Sequence, residues 1–164
     1  MPWISPLQLR DYSLLSLHVE ANEAFAFAAK PEYESAVGFD FDLSEHADGR
    51  VYRIRLTVFI NQHEKIFLRA PYRISITLLG FFEIPVQDSG EELSKALLMP
   101  NGLAMMYSIA RGIVGQATGT SLHGKFLLPT VNFVEVLKEK AHGQVGKKKD
   151  RSTPVQRSSK RTKK

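Results

Sequence analysis

The apolar positions of this chain change period once. Upstream of residue 90 they alternate with polar ones. Leu15, Leu17 and Val19 interleave with Ser16, His18 and Glu20, and Val37, Phe39, Phe41 and Leu43 with Gly38, Asp40 and Asp42. Tyr52, Ile54, Leu56, Val58 and Ile60 interleave with Arg53, Arg55, Thr57 and Phe59, and Tyr72, Ile74, Ile76 and Leu78 with Arg73, Ser75, Thr77 and Leu79. A period of two predicts four strands, each with one face for a core and one mostly polar. Turn chemistry separates them, at Lys30-Pro31, Ala47-Asp48-Gly49, Asn61-Gln62-His63 and Ala70-Pro71. The last three strands are too close in sequence for the crossovers that parallel pairing requires. The sheet is expected to be antiparallel.

Downstream the period becomes helical. Leu103, Met106, Tyr107, Ala110, Ile113, Val114 and Ala117 fall on one stripe, predicting a helix that starts near Asn101 as N-cap and stops within Gly115–Gly119. A loop over 120–130 precedes a shorter helix from about Val131 to Lys140 that buries Phe133, Val134 and Leu137. Gly143 and Gly146 predict a helix stop and a hinge. Strands first and helices last give an α+β fold: a four-stranded antiparallel sheet with two C-terminal helices packed on one face. One segment breaks the pattern. Around Gly80 both parities turn apolar, with Phe81, Phe82, Ile84 and Val86, which predicts a bend with some rings facing a partner or groove. A buried edge passing between layers is the alternative.

The 164 residues suit one domain with a sizeable core, and the absence of Cys excludes disulfide scaffolds, thiolate metal sites and thiol catalysis. No apolar run approaches the ~20 residues of a membrane span. Met1 to Leu9 lack the basic and apolar regions of a secretory signal, so a cytoplasmic protein without membrane insertion is expected. The net charge of +5 is unevenly placed. Residues 147–164 hold nine Lys and Arg against one Asp, a balance of +8, whereas residues 1–146 hold 13 against 16, a balance of −3. The terminal run has one aliphatic residue besides Pro154 and no aromatic, so it is expected to stay disordered. The expected organisation is a folded domain over 1–142 and a basic tail over 143–164.

Catalytic chemistry is not legible. The glycines at 112, 115, 119 and 124 follow no strand and precede no Gly-Lys-Ser/Thr, so there is no phosphate loop. Ser121 and His123 read as loop chemistry, and the five His have no metal-ligand spacing. Asp40 and Asp42 share a polar strand face. No catalytic residue, metal or cofactor is expected. The basic tail is able to neutralise phosphates, but it lacks the aromatics with which single-strand binders stack on bases. Arg53, Arg55 and Arg73 either extend that basic surface or pair with Asp40, Asp42 and Glu20 across the sheet; pairing is the expectation.

Several segments together resemble the SecB family of protein-export chaperones. Met106-Tyr-Ser-Ile-Ala-Arg-Gly-Ile-Val114 is similar to that family's first long helix. Thr118-Gly-Thr120 and Leu127-Leu-Pro-Thr-Val-Asn-Phe133 resemble its loop and its entry into the last helix. Phe39-Asp-Phe-Asp-Leu43 and Val51-Tyr52 resemble its second and third strands, and the likeness spans about Leu7 to Lys140. The resemblance implies a homotetramer, a dimer of dimers, that holds unfolded or secretion-bound polypeptides without ATP or cofactor. It implies a client groove at Phe81, Phe82, Ile84, Phe126, Leu127, Leu128, Phe133 and Leu137, although Phe133 and Leu137 also lie on the helix face expected to pack on the sheet. It implies an oligomer interface at Met106, Ala110, Gly112, Ile113 and Gly115.

The family docks the zinc-bearing tail of the SecA motor on acidic residues of the outer sheet face, and Glu20 matches one such position. Ser16 and Ser75 stand where carboxylates are expected and Arg73 opposes them, so SecA is expected to dock poorly. These departures leave two other readings beside an export chaperone. One is a specialised chaperone of a toxin–antitoxin system. The other is a nucleic-acid or ribosome-associated protein acting through residues 147–164.

Overall fold

The computed structural model describes residues 5, 7–25, 35–45, 51–84 and 91–149, with side chains described except over 91–95 and 143–149. Its strands are β1 (Gln8–Ala21), β2 (Val37–Glu45), β3 (Val51–Ile60) and β4 (Tyr72–Glu83). They form one sheet in the order β1-β4-β3-β2, with each neighbouring pair antiparallel. The helices are α1 (Glu64–Phe67), α2 (Glu91–Thr118) and α3 (Phe133–Lys149). The architecture is the expected α+β sheet followed by helices. Two compact units are distinguished, Met1–Val131 and Asn132–Lys164, and α3 belongs to the second.

Alternation sorts the central strands cleanly. Tyr52, Ile54, Leu56, Val58 and Ile60 on β3 and Tyr72, Ile74, Ile76 and Leu78 on β4 are all buried on the face that receives α2. The opposite face carries Arg53, Arg55, Arg73 and the Thr57–Thr77 hydroxyl pair, 3.1 Å apart. β1 departs from simple alternation. Register shifts between Leu9 and Asp11 and between Leu14 and Ser16 place Leu14, not Leu15, opposite Leu78. A bulge adds one residue and switches the face of those before it, which the sequence pattern of Leu15, Leu17 and Val19 does not reveal.

Gly80 is the second departure. It does not bend β4; it pairs with Tyr12 on β1 and Ile54 on β3. A Cβ at that position would overlap Sδ of Met106 and sit 3.0 Å from Cε2 of Phe82, so glycine serves the close approach of α2. Alternation therefore continues through the ring pair. Phe82 is fully buried under the helix, while Phe81 lies on the opposite face.

Helix boundaries also move. α2 begins ten residues ahead of Asn101 and includes Pro100, and Asn101 is no cap: its Nδ2 donates to the Leu97 carbonyl at 2.9 Å. Fully buried Leu98 extends the apolar stripe backwards, and the helix continues through Pro100 without the backbone bond that proline cannot donate. α3 starts at Phe133, where Asn132 caps it by accepting from Val134 N at 3.1 Å. It then runs through Gly143 and Gly146 to Lys149, past the expected stop. The rest of the basic tail, 150–164, lies outside the described residues. Between β3 and α1, buried Asn61 adopts a left-handed φ of 53°, accepting from Ala36 N and donating to Tyr72 O.

Candidate functional site

α2 is seated on the middle of the sheet. Met106 lies over Gly80, and a Cβ on Gly102 would come within 2.6 Å of Ile54 Cδ1, which would have to shift. Tyr107 leans toward the β2 side, its ring edge-on to Phe39 at 5.8 Å and its hydroxyl donating to Pro129 O at 2.7 Å. Burial pushes the Tyr107 hydroxyl up to about 12, against a smaller opposing effect of the Arg111 guanidinium. Both sheet margins keep apolar groups in contact with solvent. On β1, Tyr12 and Leu14 are nearly half exposed, and on β2, Phe39, Phe41 and Leu43 are half-buried.

The loop after α2 is held by local hydrogen bonds and leaves two leucines exposed. Buried Thr118 Oγ1 donates to Val114 O at 2.7 Å and accepts from Phe126 N at 2.8 Å. Tyr72 Oη donates to Gly124 O and accepts from His123 N, at 2.8 and 3.0 Å, and Gly124 uses the left-handed φ of 74° that favours glycine. His123 Nε2 lies 2.8 Å from Asn22 O, and its ring stands edge-on to Phe25 and Tyr72. Ser121 Oγ is directed to Ala117 O, so the Ser121 and His123 pair is not a nucleophile with its base. With Phe126 and Leu128 turned inward, Leu127 stands out over Gly115, and Leu122, five residues earlier, is also exposed.

The residues that the resemblance assigns to a client groove differ widely in exposure. Phe82, Phe126, Leu128 and Phe133 are buried within the chain and are core rather than groove. Phe126 packs on Tyr72 at the start of β4. Phe82 is ten residues further along the strand, roughly 33 Å at 3.3 Å per residue. Phe81 faces the other side of the sheet, Ile84 and Leu137 are half-buried, and Leu127 is 56 % exposed. Missed at the sequence level were Tyr12, Leu14 and Leu122, exposed apolar side chains whose only signal was an apolar residue on an edge strand or in a loop.

The expected oligomer interface divides in the same way. Met106 and Ala110 are fully buried within the chain, because they lie on the stripe of α2 that meets the sheet. Gly115 is covered by Lys125 and Leu127, so all three are packed within the chain. Gly112 is exposed, with nothing within 4 Å of an added Cβ, and Ile113 is half-buried. Ala104 and Ser108 precede Gly112 at four-residue spacing on the same exposed helix face.

On the outer sheet face the expected charge pairing is largely found. Arg55 Nε lies 4.0 Å from Asp42, and Arg53 donates to Ser44 Oγ at 2.9 Å. Arg73 reaches Glu20 at 3.5 Å, pairs closely with Glu64, and stacks 4.1 Å above the Phe67 ring. Glu20 is thus engaged by a cation that α1 holds in place. Among the described residues no cluster of His, Cys, Asp or Glu is placed to hold a metal ion, and no helix is long and apolar enough to cross a membrane.

Comparison with solved structures matches this arrangement with that of the Mycobacterium tuberculosis Rv1957 SecB-like chaperone, solved in complex with a ChAD peptide from the Rv1956 HigA1 antitoxin. The match has a TM-score of 0.52 and 19 % identity, over 76 % of this chain and 90 % of that one. The fold is SecB-like. A protein of unknown function from Streptococcus agalactiae also matches, with a TM-score of 0.41 and 14 % identity over 76 % of this chain and 97 % of that one; at that score it adds nothing to the assignment. No protein-family profile and no curated protein matches the chain by sequence. The SecB-like likeness is therefore one of fold, and it leaves the chemistry to be argued from the surface.

Proposed function

We propose that this protein is an ATP-independent cytoplasmic chaperone that holds unfolded polypeptides on the apolar surface of its SecB-like fold. The observations behind this reading are the apolar band of Phe39, Phe41 and Leu43 on β2, where Phe39 meets Tyr107, and exposed Leu127 in the loop after α2, two residues before the Pro129 carbonyl that accepts from Tyr107. Burying each Phe or Leu contributes roughly 1.5–3 kcal/mol, so a few such contacts along an extended client offset the cost of association without a unique motif. Self-association as a dimer of dimers uses the face of α2 with exposed Ala104, Ser108 and Gly112 and half-buried Ile113, which permits close helix approach, together with β1, an edge strand of the sheet among the described residues. Several bands on one assembly add avidity. Suppression of aggregation of a denatured client without nucleotide tests the reading. It fails if no unfolded polypeptide binds at micromolar protein.

A specialised client is favoured over delivery to the export motor. Glu20, the residue expected to receive SecA, is held by Arg73, so a basic docking peptide must displace an existing pair. The SecB-like chaperone with the matching fold was solved with an antitoxin peptide. Purification from cells is expected to bring down one dominant small partner; a broad mixture of precursor proteins with bound SecA would restore the export reading.

A further inference from the structure

We propose that the helical turn between β3 and β4 is a receptor for acidic segments of a polypeptide partner. Lys65, Leu68 and Arg69 stand at i, i+3 and i+4 spacing on and just after α1, on the side away from buried Phe67 and Ala70. Leu68 is 65 % exposed, and both cations beside it are exposed. Among the described residues neither Lys65 nor Arg69 has a carboxylate partner, while the neighbouring Glu64 and Glu20 both pair with Arg73. The turn is fixed from within. Asn22 Nδ2 donates to Phe67 O at 3.0 Å and to Ala70 O at 3.1 Å, and its backbone N–H donates to Pro71 O at 2.9 Å. The Arg73 guanidinium covers the Phe67 ring. Held in this way, the turn pays little ordering cost on meeting a partner. Asn22 O lies 2.8 Å from His123 Nε2, so the loop that carries Leu122 and Leu127 meets the base of the same turn.

The chemistry of the face selects its occupant. A leucine between two cations fits a segment with an apolar side chain between carboxylates, because the leucine is then buried while each cation gains a charge-assisted hydrogen bond. Two cations fall well short of the roughly six to ten phosphate contacts typical of strong duplex binding, and a phosphate backbone offers Leu68 nothing apolar. One leucine is also too little to hold a lipid interface, where even a whole myristoyl chain binds marginally. The inference names a client class and in that respect rests on the chaperone reading: a client's acidic stretch is held at the turn while its apolar stretch lies on the adjoining loop.

Two fluorescein-labelled peptides, one of alternating Glu and Leu and one with Lys in place of Glu, test this by anisotropy with the full chain. Salt of about 150 mM screens exposed charges more than about 8 Å apart. The Glu peptide is expected to bind about ten-fold tighter than the Lys peptide. Lys65→Glu combined with Arg69→Glu is expected to weaken the Glu peptide about ten-fold and to strengthen the Lys peptide. Leu68→Ala is expected to weaken the Glu peptide roughly five-fold. All three side chains are exposed, so urea midpoints should hold in both proteins. A photo-reactive leucine in the Glu peptide is expected to crosslink within residues 62–73. Aggregation suppression of a client without an acidic stretch is expected to survive the charge reversal, so failure of the turn and failure of the chaperone reading are seen separately. Equal affinity for the two peptides, Glu-peptide affinity unmoved by the charge reversal, or crosslinks only outside residues 62–73 overturn the proposal. So does a charge reversal that releases duplex RNA or phosphatidylserine vesicles but not the Glu peptide.

Discussion

Leu127 and Leu128 are neighbours of identical chemistry that the structure assigns opposite tasks, so truncating each to alanine separates surface from core. Leu127 is 56 % exposed and Leu128 1 % exposed. For Leu128→Ala, the lost transfer energy and the residual cavity together cost about 2–5 kcal/mol of stability. At about 2–4 °C per kcal/mol for a chain of this size, melting falls by roughly 4–20 °C. Leu127→Ala removes a side chain already half in water, and stability is expected to change by less than about 1 kcal/mol. Its effect should fall on client binding. Burying the remaining half of a leucine contributes about 1–1.5 kcal/mol, so affinity for an unfolded client weakens roughly five- to ten-fold. Urea unfolding gives the first quantity, and anisotropy of a labelled, permanently unfolded client gives the second. Unchanged client affinity in Leu127→Ala would refute the loop as binding surface, and unchanged stability in Leu128→Ala would refute the packing.

Other expectations are simpler to state. Thr118→Val keeps the shape but leaves the Phe126 N–H without its acceptor, costing about 1–3 kcal/mol, whereas Thr118→Ser keeps the bond; urea midpoints of the three proteins check this. The Tyr107 hydroxyl is held up at about 12 in the folded chain against an ordinary value of 10.0, so its contribution is complete below about 10 and is lost as pH rises toward 12. Tyr107→Phe is expected to flatten that alkaline fall in stability. Gly112→Glu, on the open face of α2, is expected to leave the protomer's stability within about 1 kcal/mol but to lower the mass of the proposed assembly by light scattering; an unaltered mass would place the interface elsewhere.

Much of this protein is determined by its sequence alone. The period of two along β3 and β4 selects which of their side chains are buried, because adjacent residues of a strand must point to opposite faces. The stripe from Leu103 to Val114 identifies α2's buried face for the corresponding helical reason. Carboxylates and guanidinium groups at the same strand parity foreshadow the pairs Arg55–Asp42 and Arg73–Glu20. What remained hidden depends on contacts between residues distant in the chain. Gly80 reads as a bend in one dimension, and only the approach of Met106 shows it to be clearance for a helix. The bulges in β1 move Leu14 onto the helix side and leave Leu15 unpaired in the register, a one-residue event without a local marker. The candidate groove residues show the same division. Apolar identity made Phe82, Phe126, Leu127 and Leu128 equivalent in the sequence, yet α2 covers Phe82, Tyr72 packs on Phe126, Leu128 is buried, and Thr118 and Gly124 fix the turn that exposes Leu127. Local periodicity specifies which groups must avoid water. Which of the remaining apolar groups stay in contact with it is decided by the distant parts of the chain that arrive to cover them.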